Sequence, residues 1–92
     1  MKIALISSCK DLDFRKYIGS SCTEIVTNIP NLEYFIRDLP VIYKEDIDEL
    51  INDADWVTVI CGKRLRGPSA VISKCRKYHV SFEIINIDAL PR

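Results

Sequence analysis

Ninety-two residues, 48% hydrophobic and 28% charged, describe one globular domain over 1–92 with a single core, and leave no length for a second. Thirteen Lys and Arg balance thirteen Asp and Glu, which excludes a global field drawing the chain to nucleic acid or a membrane surface. No run approaches the ~20 apolar residues of a bilayer span, and the apolar run after Met1-Lys2 stops at Ser7, too early for a signal peptide.

Lys2-Ile3-Ala4-Leu5-Ile6-Ser7 is a continuous apolar run, the pattern of a strand buried on both faces in a parallel sheet. Asp11 is placed to cap a helix whose Phe14, Tyr17 and Ile18 share a face, with Gly19 as its left-handed stop. The β-branched run Thr23-Glu24-Ile25-Val26-Thr27 is the second strand. Asn31 then starts a second predicted helix, with Leu32, Phe35, Ile36 and Leu39 at helical spacing and Pro40 as its end.

Val41-Ile42-Tyr43 reads as a short third strand. Glu45, Asp46, Asp48 and Glu49 crowd the start of a third helix, where the macrodipole favours negative charge, and Ile47, Leu50, Ile51 and Ala54 form its buried stripe. Trp56-Val57-Thr58-Val59-Ile60-Cys61 is the clearest strand. After a basic loop, Pro68 suits the first turn of a fourth helix with Val71, Ile72, Cys75 and Tyr78 inward. Ser81 to Ile87 makes the last strand. Strict alternation of strand and helix predicts a small three-layer Rossmann-like α/β domain, with a four- to five-stranded parallel sheet and right-handed crossovers. Ligands of such sheets bind beyond the carboxyl ends of the strands, where the strand order reverses. Ser7, Ser8, Cys9, Asn28 to Asn31 and Cys61 to Ser69 belong to that edge, and Asp88 follows the last strand.

The chemistry concentrates in Cys61-Gly62-Lys63-Arg64-Leu65-Arg66-Gly67-Pro68-Ser69. Gly62 and Gly67 allow tight turns, and the N–H groups opening the next helix point toward the crevice. Lys63, Arg64 and Arg66 oppose the helix dipole until a phosphate or carboxylate sits between them, so the stretch reads as an anion site. The plain alternative is a solvated basic loop. The spacing is not that of a P-loop, which would end in Gly-Lys-Ser/Thr. Ser7, Ser8 and Cys9 offer hydroxyls and amides to a phosphate or ribose, or else form a small-residue turn.

Four cysteines, Cys9, Cys22, Cys61 and Cys75, include no Cys-x-x-Cys pair. Without a secretory signal they read as reduced thiols of a cytoplasmic protein. Cys9 and Cys61 come close if the first and fourth strands are neighbours, but inert burial is the commoner fate of cysteine. The lone His79 sits at the far end of the fourth helix, which argues against a Ser-His pair and against a zinc site. Lys74, Arg76, Lys77 and His79 complement that helix's dipole; lacking interleaved aromatics, they do not mark a nucleic-acid surface.

Met1-Lys2-Ile3-Ala4, Thr23-Glu24-Ile25-Val26, Ala54-Asp55-Trp56-Val57, Ser8, Gly62 and Gly67 together resemble the small SLOG-type Rossmannoid proteins, relatives of the LOG and DprA nucleotide-binding folds, in particular the YspA-like group. Ser7 and Cys9 replace that group's glycine and arginine, and Pro68 a threonine. Thr27-Asn28-Ile29-Pro30-Asn31 stands where its glycine-rich phosphate loop belongs. The side chains and Pro30 obstruct close backbone approach to a diphosphate. The resemblance implies the fold and an inherited ligand crevice, not the family's chemistry.

The leading expectation is a non-catalytic binding domain for a nucleotide or other small phosphorylated ligand, with no cofactor and no metal. Its binding residues are Ser7, Ser8, Cys9, Gly62, Lys63, Arg64, Arg66, Gly67 and Ser69. The alternatives are a degenerate domain serving protein interaction or homodimerisation, and an enzyme on nucleotides using Asp88.

Overall fold

The computed structural model describes residues 1–7, 13–61 and 68–86 of the chain, with the side chains of Pro68 and Asn86 set aside. Five strands form it: β1 (Lys2–Ser7), β2 (Glu24–Thr27), β3 (Val41–Tyr43), β4 (Trp56–Cys61) and β5 (Ser81–Asn86). They make one sheet in the order β3-β2-β1-β4-β5, and every pairing is parallel. The expected Rossmann-like α/β architecture is present, and Val41–Tyr43 joins the sheet as an edge strand.

The central strand explains the apolar runs. Ala4 and Leu5 are fully buried and Ile3 and Ile6 nearly so, because layers cover both faces of β1. Ile3 and Leu5 point to one face with Ile25 and Ile60; Ala4 and Ile6 point to the other with Val26, Val57 and Val59. Register is pinned at the amino edge. The Lys2 N–H donates to Asp55 Oδ2 at 2.9 Å, the Asp55 N–H donates to the Lys2 carbonyl at 2.8 Å, and the Thr23 N–H donates to the Met1 carbonyl at 2.9 Å.

One face is covered by helices. In α1 (Ile47–Asn52) the Asp46 carboxylate caps the start by accepting from the Asp48 N–H at 2.9 Å, and Leu50 and Ile51 are wholly buried. In α2 (Pro68–Lys77) Cys75 is wholly buried, with Val71 and Tyr78 packed beside it. His79 ends this helix at φ 57°: the Val80 N–H donates to the Cys75 carbonyl at 2.9 Å and the His79 N–H to the Arg76 carbonyl at 3.3 Å. This is a Schellman motif with histidine in the left-handed place usually held by glycine.

The opposite face departs from expectation. In place of two helices the chain makes 3-10 turns, Phe14–Tyr17 and Leu32–Tyr34. Ile18 is already extended after the first turn, and Gly19 opens a turn closed by the Cys22 N–H on its carbonyl without adopting a left-handed backbone. Asp11 lies outside the described residues; Asp13 stands at the cap with no side-chain bond. Asn31 makes no side-chain cap either, sitting instead at φ 62°, a conformation asparagine tolerates. Between Asn31 and Pro40 there is room for barely two helical turns. Tyr34, Phe35 and Ile36 are weak helix formers, so little local energy holds a helix together there. Leu32 and Ile36 are buried while Phe35 is 58% exposed.

Candidate functional site

The chain moves outward from β1 through β2 to β3, then returns across the sheet to place β4 on the other side of β1. Strand order therefore reverses between β1 and β4, where a parallel sheet opens a crevice at its carboxyl edge. Ser7 pairs in register with Ile60, so β1 and β4 end side by side, and Cys61 extends β4 one residue further opposite Asn86. α2 finishes just before Ser81, which pairs with Trp56 at the amino edge, so the opening turn of α2 faces the carboxyl edge.

Of the expected site residues, Ser7, half-buried, stands at this edge, and Ser69 is exposed in the first turn of α2. Ser8, Cys9, Gly62, Lys63, Arg64, Arg66 and Gly67 lie outside the described residues, as does Asp88. The two segments singled out for their chemistry thus leave the sheet from adjacent strands, at the reversal point.

Cys61 is buried and its thiol donates to the Ile85 carbonyl at 3.6 Å. Cys22 and Cys75 are free thiols. Burial raises the Cys75 pKa above the ordinary thiol value, which disfavours the thiolate a nucleophile or redox centre needs. Among the described residues no group of three or more His, Cys, Asp or Glu is placed to hold a metal ion, and no helix is long and apolar enough to cross a membrane. His79 is exposed beyond the end of α2, at the edge opposite the crevice.

Two neighbours of the crevice carry signals that sequence reading passed over. The wholly buried Thr27 hydroxyl donates to the Leu5 carbonyl at 2.8 Å and accepts from the Ile29 N–H at 3.0 Å, tying the turn after β2 to β1. The next residue, Asn28, has a buried Oδ1 with no hydrogen-bond partner among the described residues. A buried acceptor without a donor is costly. An asparagine directly after a β-branched strand run is the sequence sign of it, weak by itself.

The class defined by this geometry is a doubly wound parallel α/β domain with its crevice between the first and fourth strands in chain order. No family model, curated protein or solved structure matches the chain.

Proposed function

We infer that the domain binds a nucleotide or another small phosphorylated ligand without transforming it, in the crevice between β1 and β4. The observation carrying this reading is the reversal of strand order between the two strands from which the Ser7–Cys9 and Gly62–Ser69 segments depart. In it the phosphate meets Gly62, Lys63, Arg64, Arg66, Gly67 and Ser69, with help from Ser7, Ser8 and Cys9. The likeness of the Met1–Ala4, Thr23–Val26 and Ala54–Val57 segments to SLOG-type proteins supports the same ligand class. Free thiols at Cys22 and Cys75 fit a reducing compartment, and we assign the protein to the cytoplasm.

A thermal-shift and calorimetric screen of nucleotides and sugar phosphates is the test. One member should raise the melting temperature, and Arg64→Ala or Arg66→Ala should weaken its binding by about tenfold, as losing a charge-assisted contact does. No response to any member at millimolar concentration would end the reading.

A second reading, a self-association or protein-docking module, is favoured by one observation. Tyr34 (66% exposed), Phe35, Ile42 and Tyr43 (48% exposed) put four large apolar side chains on the surface within ten residues. It requires a dimer by light scattering that Phe35→Asp dissociates; a strictly monomeric wild type removes it.

A further inference from the structure

A hollow lies at the amino end of the strands, away from the crevice proposed above. The two 3-10 turns cover one sheet face over β3, β2 and β1, but among the described residues no helix covers that face over β4 and β5. Register sets out its floor in rows: Ile3, Trp56 and Ser81 lie abreast, then Leu5, Thr58 and Glu83. Over these rows opens a hollow of about 210 Å³, bordered by Met1, Ile3, Tyr17, Trp56, Thr58 and Glu83.

Its lining is chemically lopsided. Met1, Ile3 and the rings of Tyr17 and Trp56 make apolar walls, and one carboxylate interrupts them. Glu83 Oε1 accepts from the Thr58 hydroxyl at 3.4 Å, and Thr58 is itself almost fully buried. Ion pairs among the described residues engage Lys2, Arg15, Lys44 and Lys74, none of them with Glu83. The Met1 ammonium is bound to the Ser21 carbonyl at 3.1 Å and to Thr23 Oγ1 at 3.0 Å.

We propose that this hollow is a binding site for a compact organic cation, an alkyl- or quaternary ammonium group, seated between the Trp56 and Tyr17 rings and the Glu83 carboxylate. Aromatic faces attract cations through their quadrupole, and the carboxylate supplies the opposite charge. An anion meets Glu83 as a like charge. A neutral apolar guest gains no attraction from that carboxylate, which is exposed. The volume lies below the roughly 300–1,000 Å³ of pockets for drug-sized ligands, which restricts the guest to a small one. The site is independent of the anion crevice, being built from the amino halves of β1, β4 and β5.

Trp56 is the only tryptophan of the chain, so its emission reports on the hollow directly. The full chain is titrated with choline and with tetramethylammonium at constant ionic strength, and in parallel with 3,3-dimethylbutan-1-ol, the neutral isostere of choline. The cations should change Trp56 emission saturably in the millimolar range, with the alcohol at least about tenfold weaker. Glu83→Gln, with its fold checked by circular dichroism, should remove most of the preference for the cation and leave the alcohol unaffected. Tyr17→Leu should weaken the cations alone. The proposal is overturned if neither cation gives a saturable change, if the alcohol matches choline in the wild type, or if folded Glu83→Gln binds choline as before. The wild-type pair of titrations decides even where a variant does not fold.

Discussion

Over one face of the sheet, Asp46 caps α1, the motif centred on His79 closes α2, and Asp48 joins the two helices by accepting from Lys74 Nζ at 3.0 Å and from the Tyr78 hydroxyl at 3.2 Å. Over the other, Phe14, Leu32 and Ile36 are just as deeply buried, yet their backbone has only short 3-10 turns. Side-chain ties there include an edge-to-face contact of the Phe14 and Phe35 rings at 6.2 Å, an exposed Arg15–Asp38 ion pair at 3.0 Å and a bond from Arg15 Nη1 to the Ile18 carbonyl at 3.3 Å, but neither turn has a side-chain cap. The difference teaches that burial and local order are separable. The helical layer has hydrogen bonds and caps of its own. The turn layer, with short turns and no side-chain caps, leans more on what its apolar side chains displace from water.

The sharpest way to break this comparison is to remove an anchor from the turn layer. Phe14→Ala should cost about 3–5 kcal/mol in urea unfolding, the range for truncating a buried aromatic ring. It should also release the amide protons of Ile18 and Ile36 to solvent exchange before those of Leu50 and Val80. Equal protection of Ile36 and Leu50 in the wild type would show the two layers to be alike after all. Next in size is Thr27→Val, which strands both the Leu5 carbonyl and the Ile29 N–H. About 1–3 kcal/mol should be lost by the same assay. In the helical layer a gain is expected: His79→Gly relieves a left-handed histidine and should raise stability by about 1 kcal/mol, seen as a higher urea midpoint.

The smallest expected effect is one of pH. The hydrogen bond from Lys74 holds the Asp48 carboxyl below its ordinary pKa, and that from Lys2 does the same for Asp53. A carboxyl with a depressed folded-state pKa binds fewer protons folded than unfolded. Its contribution is therefore full above the ordinary value near pH 4 and fades as pH falls through the folded one. Both groups are exposed, so the effect should be a shallow fall of the urea midpoint below about pH 4, shallower still in Asp48→Asn. A midpoint that rises on acidification would contradict the assignment.

How far these features were legible in the sequence follows the same division. The strands announced themselves because a parallel sheet buries both sides of each strand, making Ile3–Ile6 an unbroken apolar run and Val57–Cys61 a run interrupted only by the β-branched Thr58. Asp46 and Pro68 marked helix starts through effects reaching only a few residues. The two 3-10 turns were misread as helices because Leu32 and Ile36, four apart, satisfy a helical template as well as a folded-over turn does. The decisive fact, that Phe35 stays outside, depends on tertiary packing. Glycines and cations in 62–69 proposed a site, but its composition could not say that β1 and β4 end together; strand order does that. Thr27, Asp48 and Glu83 were invisible as functional residues because each finds its partner through register or helix docking: Leu5, Lys74 and Thr58 lie far along the chain.

That β1 is central to the sheet has a bearing on biosynthesis. Of the five strands it leaves the ribosome first, yet one of its two margins stays bare until Trp56 to Ile60 have been translated. Pairing with β2 at Glu24 to Thr27 is available early, so a nascent half-sheet of β1, β2 and β3 precedes the whole. Until β4 arrives, that intermediate carries an open apolar flank, the kind of surface that recruits chaperones and invites aggregation.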